Sequence, residues 1–256
     1  MKKAIVILSG GPDSTAAALW AIASGLDVSL ITFQFRDDEQ YGEIYASMRV
    51  AEGLKRPHRI IDFKSPIRVF TPNMHIMMHA GVRQMEGDKS KPYLMPFGSG
   101  TMLSFAASYA LHEGINTIVW GATLDDGSAN FEYSKNFSDA LAGLISKATG
   151  HDFEILVPFE KKHKPEVVAA FSGNPALFAS TWSCRKGSVL QCGVCEGCAA
   201  RRVSADLAGV ADETIYQQPN FKTPLSRFKK IGLSELSDSD WTRIKEIVPL
   251  NCDDPA

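Results

Sequence analysis

Apolar and polar positions follow two alternating rhythms along most of this chain. Short runs rich in branched and apolar residues recur at Lys3 to Ile7, Val28 to Phe35, Arg59 to Phe63, Thr117 to Trp120 and Phe153 to Val157. Each has the length of a buried strand, and the first is apolar without a break after Lys3. Between them lie longer stretches of helical character. Ala16 to Ser24 is Ala-rich and closes at Gly25, and Glu43 to Gly53 places Ile44, Val50, Ala51 and Leu54 at helical spacing. Thr101 to Glu113 and Lys135 to Thr149 continue the series, and Pro165 opens another helix just after Lys164, proline being well tolerated at a first helical position. Strand, helix, strand, helix, strand with short links predicts an α/β fold: a Rossmann-like parallel sheet flanked by helices, with right-handed crossovers. Ligands in such sheets bind beyond the carboxyl ends of the strands, near the switch point.

The rhythm breaks in three places. Pro66 to Pro92 has little period and reads as an insertion or lid; its His75 and His79 could share a helical face and a metal, or sit on an ordinary packed helix. Gly121 to Asn130 reads as a polar loop carrying Asp125 and Asp126. Beyond the short helix Ala199 to Leu207, with Arg201 and Arg202, the chain changes character. Gln217 to Pro224 is loop-like, and Asp238 to Ile247 reads as an amphipathic helix with Trp241, Ile244 and Ile247. The expected organisation is a main domain over residues 1–208 and a C-terminal extension over 209–256, packed on the core or on a partner. No internal repeat or low-complexity tract is visible.

The turn after the first strand, Leu8-Ser9-Gly10-Gly11-Pro12-Asp13-Ser14-Thr15, is the most informative stretch. Its glycines permit positive φ and close approach of a ligand. Backbone N–H groups at the start of a helix, with the positive end of its dipole, form an anion site suited to phosphate or pyrophosphate. The ending Gly-Lys-Ser of the ATPase P-loop is missing, as is the three-glycine dinucleotide fingerprint. The string resembles the PP-loop, Ser-Gly-Gly-x-Asp-Ser, of the ATP pyrophosphatases, which cleave ATP between the α and β phosphates and adenylate a carbonyl or carboxyl oxygen.

Composition narrows the class. With 45% hydrophobic and 22% charged residues the chain is that of an ordinary globular protein, and a net charge of −2 gives no overall electrostatic case for nucleic acid. The apolar run after Met1-Lys2-Lys3 is too short for a signal-peptide core, and no run reaches membrane-spanning length, so a cytoplasmic protein away from membranes is expected. Four of the five cysteines, Cys184, Cys192, Cys195 and Cys198, fall within fifteen residues. In a reducing compartment this spacing argues for metal rather than disulfides. Thiolates so placed close a tetrahedral zinc knuckle, an iron–sulfur cluster being the alternative; with all four positions filled by protein the metal is structural. Cys252 stands apart as a bystander.

A PP-loop near the N-terminus and a four-cysteine knuckle introduced by Thr181-Trp182-Ser183-Cys184 together resemble the QueC family. That family makes 7-cyano-7-deazaguanine from 7-carboxy-7-deazaguanine, ammonia and ATP. The resemblance covers about residues 3–208. Glu43, Gly121, Asp126, Ser128, Phe137, Lys164 and Glu166 fall in step with its motifs, as do Pro96 and Leu103. Three stretches depart. Gly98-Ser99 stand where the family has Arg-Asn, Asn130 to Ser134 where it has Tyr-Pro-Asp-Cys-Arg, and Asp37-Asp38-Glu39-Gln40 replace a Gln-Arg-His stretch. The nucleotide and zinc halves thus match, whereas the acceptor side is remodelled, and loss of a bidentate arginine is not made good by serine.

The resemblance implies an ATP-dependent carbon–nitrogen ligase that adenylates the carboxylate of a 7-deazaguanine-type substrate and passes it to an amine. ATP would lie over Ser9, Gly10, Gly11, Asp13, Ser14 and Thr15, with adenine near Thr32 and Phe33 and Mg²⁺ at Asp13. Asp13, Ser14 and Lys164 are the expected catalytic groups; Asp126, Glu132 and Glu43 are the candidates for the substrate base. Three further readings stay open. A QueC-like enzyme of anti-phage clusters would attach the deazapurine to a macromolecular amine, such as a protein's. A tRNA-modifying PP-loop enzyme would need a sulfur-carrying cysteine, and only Cys252 is spare. A non-catalytic nucleotide-binding module would use the knuckle to dock a partner. A homodimer is compatible with all of them.

Overall fold

In the computed structural model, which describes residues 1–35, 42–65, 97–186 and 189–218, Lys3–Ile7 (β1) runs through the middle of a parallel sheet. Asp27–Gln34 (β2) and His58–Asp62 (β3) lie on one side; Thr117–Val119 (β4) and Glu154–Leu156 (β5) lie on the other. The order is β3-β2-β1-β4-β5, with Val6 opposite Leu30 on one flank and Val119 on the other. The chain winds outward from β1 to β3 and then returns to β4, so the switch point lies between β1 and β4. The parallel, helix-flanked sheet is the one the alternation predicted.

Side-chain alternation along the strands sorts the apolar residues into two cores. Ala4, Val6, Leu8, Val28 and Leu30 face one layer, and Ile5, Ile7, Ile31 and Phe33 face the other. Over the first face lie Pro12–Ala23 (α1) and Glu43–Leu54 (α2), where the alanines of α1 let it sit close on the sheet. Gly98–His112 (α3) and Lys135–Thr149 (α5 in chain order) cover the second face through Leu103, Ala106, Ala110, Leu141 and Ala142.

Several element ends shift by one to three residues from the expected bounds, and three differences have a clear local reason. Helix α1 begins at Pro12, inside the glycine turn rather than at Ala16, because proline's fixed φ starts a helix directly after Gly11. The expected polar loop at 121–130 contains a short helix, Leu124–Ala129 (α4). There the Thr123 hydroxyl accepts the Asp126 N–H, and the Asp126 carboxylate accepts the Thr123 N–H, so a capping box nucleates a turn that apolar periodicity cannot reveal. The helix expected from Pro165 starts at Lys164 and spans Lys164–Val168 (α6), capped by His163 and Glu166, before passing into a 3-10 turn at Ala169–Phe171. Pro175–Ser180 (α7) and Glu196–Leu207 (α8) complete the described helices. Asp37 to Gln40, the 66–92 insertion with His75 and His79, Pro96, the 238–247 helix and Cys252 lie outside the described residues.

Candidate functional site

The turn after β1 leaves the sheet at its carboxyl edge and becomes α1. Gly10 has φ +84, and a Cβ there would come within 2.4 Å of the Glu43 carbonyl oxygen and 2.8 Å of Ser47 N; only glycine fits. Ser14 Oγ accepts the Ser9 N–H at 3.1 Å and donates to the Gly11 carbonyl at 3.1 Å. Ser9 Oγ lies 3.0 Å from Ser14 Oγ and accepts the Gly11 N–H at 3.2 Å. Thr15 is buried, its hydroxyl donating to the same Gly11 carbonyl at 2.8 Å. The hydroxyls therefore knit the turn into one shape.

A charged cluster stands beside it. Lys164 Nζ donates to Asp13 Oδ2 at 2.8 Å and to Asp126 Oδ1 at 3.4 Å. The backbone of Lys164 is held in turn by Asp125, whose buried carboxylate accepts the Lys164 N–H at 3.0 Å and faces His163 Nδ1 at 2.9 Å. Three helices, α1, α4 and α6, thus converge on one ammonium. Burial raises the Asp13 carboxyl above the usual aspartate value, against the opposing pull of Lys164. Burial also acts to lower the Lys164 ammonium, but Asp13 and Asp126 overcome it and hold its pKa above that of an ordinary lysine. Asp125 and His163 had no role in the sequence reading; the one visible signal was the doubled Asp125-Asp126.

The remaining nucleotide and substrate candidates lie around this edge. Thr32 is buried, its hydroxyl donating to the Leu8 carbonyl at 2.5 Å and paired with His58 Nε2 at 2.8 Å. Phe33 packs among Phe35, Phe63 and Phe105. Glu43 begins α2 with an exposed side chain, and its carbonyl abuts Gly10.

The four cysteines meet in space. Their sulfurs all lie within 4.8 Å of one another, with separations of 3.9 Å for Cys192–Cys198, 3.9 Å for Cys184–Cys195 and 3.6 Å for Cys195–Cys198. A tetrahedron with metal–sulfur bonds of ~2.3 Å has edges of about 3.8 Å, so the set fits a zinc ion. Backbone N–H groups of Lys186, Cys192, Val194 and Cys195 point at these sulfurs at 3.3–3.4 Å, as thiolate ligands require. Gly197 has no room for a side chain, since a Cβ would fall 1.9 Å from the Ser183 carbonyl.

The model of the family described as "Queuosine biosynthesis protein QueC" matches residues 3–208. The chain belongs to the QueC family. It is 29% identical to 7-cyano-7-deazaguanine synthase of Methanoregula boonei over 84% of this chain and 99% of that protein. It is 30% identical to the synthase of Nautilia profundicola over 85% and 100%. Among solved structures, NMN synthetase from Francisella tularensis is similar at 14% identity, with a TM-score of 0.44 over 96% of this chain and 82% of that one; a likeness this weak carries no functional argument.

The two described stretches expected to depart from the family pattern touch each other. Glu132 Oε2 accepts the N–H groups of Ser99 at 2.9 Å and Gly100 at 3.4 Å, at the start of α3. A neighbouring segment thereby caps a helix whose own Phe97 offers no side-chain cap and takes φ +57. Tyr133 packs on Trp120 with tilted rings and centroids 5.2 Å apart, and desolvation raises the pKa of its hydroxyl against the opposing pull of a Ser99 hydrogen bond. Asp126 spends one oxygen on Thr123 and turns the other to Lys164.

Proposed function

We propose that this chain is an AMP- and pyrophosphate-forming carbon–nitrogen ligase that activates the carboxylate of a 7-deazaguanine-type base and transfers it to an amine. The observation that carries this reading is the convergence of Lys164 and Asp13 on the knitted Ser9–Ser14 turn at the sheet's switch point. Membership of a family whose relatives are 7-cyano-7-deazaguanine synthases supports the substrate class. The phosphates of ATP lie over Ser9, Gly10, Gly11, Asp13, Ser14 and Thr15, and the adenine lies toward Thr32 and Phe33. Lys164 supplies a mobile cation to the departing pyrophosphate, and Asp13 holds it between turnovers. A magnesium ion held by Asp13 would neutralise charge on the phosphates. Cys184, Cys192, Cys195 and Cys198 would hold a zinc ion with all four positions filled by protein, and the ion would supply folding free energy rather than Lewis-acid chemistry. The substrate carboxylate attacks the α-phosphate, and an amine then displaces AMP. Positioning and charge stabilisation lower the barrier, with no protein nucleophile. Asp126, Glu132 and Glu43 are the residues offered for the base. Residues 1–208 act as the catalytic unit, in the cytoplasm, and 209–256 as an extension.

AMP formation from ATP with 7-carboxy-7-deazaguanine, with and without ammonia and followed by mass spectrometry, tests this reading. Carboxylate-dependent AMP release is expected; its absence under all conditions rejects the assignment.

The contact between Ser99 and Glu132 favours a second reading of the acceptor step. Both residues replace family positions on the acceptor side, and a carboxylate sits at the start of α3. The amine then belongs to a larger molecule rather than to ammonia, and conversion to the free nitrile is poor. Efficient, complete nitrile formation from ammonia excludes this second reading and leaves an ordinary synthase.

A further inference from the structure

Trp182 joins two parts of the molecule that the reaction scheme treats separately. Its backbone N–H donates to the Gly10 carbonyl at 2.8 Å, and its own carbonyl faces Gly11, where a Cβ would stand 3.6 Å away. Its indole is buried against Gly42, at the entry to α2, so closely that a Cβ on Gly42 would fall 2.8 Å from the ring. The indole N–H donates to the Cys184 carbonyl at 2.7 Å. Trp182 packs in the cluster that holds all four cysteines and Ala46 of α2. A single residue therefore touches the phosphate turn by its backbone, the helix that hems Gly10 by its ring, and a knuckle ligand by its indole nitrogen.

Neighbouring groups hold this strut in place. Gln191 accepts the Ser183 N–H at 2.9 Å and donates to the Thr181 carbonyl at 3.1 Å. Arg201 donates to the Thr181 hydroxyl and the Phe178 carbonyl from a fully buried position, with its guanidinium 3.8 Å from the Phe178 ring. The segment on both sides of Trp182 is fixed by bonds to Gln191 and to Arg201 of α8.

We propose that Trp182 is a positioning residue that transmits the state of the four-cysteine knuckle to the phosphate turn, so that an intact knuckle is required for tight nucleotide binding. The inference rests on the readings of the turn as the nucleotide site and of the knuckle as a zinc centre. If the ion or its thiolates are lost, Cys184 is no longer held, the indole loses its acceptor, and the Gly10 carbonyl loses a fixed donor. The turn then samples shapes that do not cradle phosphate, a loss of preorganisation rather than of a contact.

The test measures binding of the α,β-methylene analogue of ATP by calorimetry to the full chain as zinc-loaded wild type, Trp182→Phe, Trp182→Ala and Gly42→Ala. Zinc content and hydrogen exchange of the peptide containing residues 8–15 are measured alongside. Trp182→Ala is expected to weaken the analogue roughly ten-fold, the size of one lost hydrogen bond, while zinc stays at one per chain. Gly42→Ala, which touches no cysteine, is expected to weaken it by a smaller factor, and Trp182→Phe to fall between wild type and Trp182→Ala. Exchange in residues 8–15 should quicken in the same order, and the KM for ATP should rise. Wild-type affinity in both Trp182→Ala and Gly42→Ala overturns the proposal, as does a loss of affinity that only follows loss of zinc. Zinc-loaded wild type that binds no analogue rejects the nucleotide site itself, a different outcome from an unchanged variant.

Discussion

The ammonium of Lys164 lies 2.8 Å from the carboxylate of Asp13, although 151 residues separate them in sequence. The pair is part-buried, with side-chain exposures of 23% and 25%, and opens on the phosphate turn. Its geometry and its protonation energetics point in different directions, because Asp13 remains uncomfortable as an anion even beside a cation.

Asp13→Asn should abolish pyrophosphate release without lowering stability. Burial raises the folded-state pKa of Asp13 above the ordinary 3.8, so the folded protein binds that proton more tightly than the unfolded chain does. The ionised carboxyl therefore costs stability at pH above its folded pKa, and the cost vanishes below 3.8. Melting curves against pH should show the variant at or above wild type near neutrality. The gap should close as pH falls through the folded pKa. A variant clearly less stable than wild type at pH 7 would contradict this account.

Lys164→Met should cost both activity and stability. It leaves Asp13 and Asp126 facing each other without a cation, and removing one partner of a fully buried pair costs ~3–5 kcal/mol. Since about a quarter of each side chain is exposed, ~1–3 kcal/mol is the expected loss here after solvent screening. Adding Asp13→Asn to this variant should recover part of it. Chemical denaturation of the two single variants and the double variant measures the coupling, and strict additivity would show that the pair does not interact.

Gly121→Ala should damage the phosphate turn from outside it. The added methyl would fall 2.7 Å from the Asp13 carbonyl oxygen and 2.9 Å from Ser14 Cα, both backbone atoms that cannot rotate away. A fall of at least ~10-fold in kcat/KM for ATP is expected from displacement of the turn, with the melting curve still cooperative. Unchanged kinetics would mean that the turn tolerates a shift of this size.

Replacing any of Cys184, Cys192, Cys195 or Cys198 by Ser should reduce soluble yield and abolish stoichiometric metal, because a structural metal contributes its binding free energy to folding. Elemental analysis of the wild type should find one zinc per chain. Finding iron, or no metal, would remove the zinc assignment.

Glu132→Ala should cost ~0.5–2 kcal/mol, the range for loss of a helix N-cap, because Ser99 and Gly100 lose the carboxylate that accepts their N–H groups. On the proposed acceptor reading it should also change amine preference more than carboxylate-dependent AMP formation. Product analysis with ammonia and with a primary amine such as lysine methyl ester checks the second part.

The sequence determined the parts of this protein that repeat with the period of secondary structure or that lie within a few residues of each other. The apolar run Ala4 to Ile7 and the mostly apolar Val28 to Phe35 pointed to a parallel sheet, because a strand covered on both faces needs apolar residues on both. The Gly10-Gly11 turn and the Cys192 to Cys198 spacing singled out a tight turn and a four-cysteine cluster, since both depend on local backbone and ligand geometry. Short capped helices escaped it: α4 is stabilised by the reciprocal Thr123–Asp126 bonds rather than by an apolar face. Only the tertiary structure decided which distant groups meet. Asp125 gains its part from a partner at Lys164, Glu132 becomes the cap of a helix that starts at Gly98, and Trp182 reaches Gly10 across about two thirds of the chain. Such pairings are set by the order in which strands and helices pack, and no periodicity along the chain encodes them.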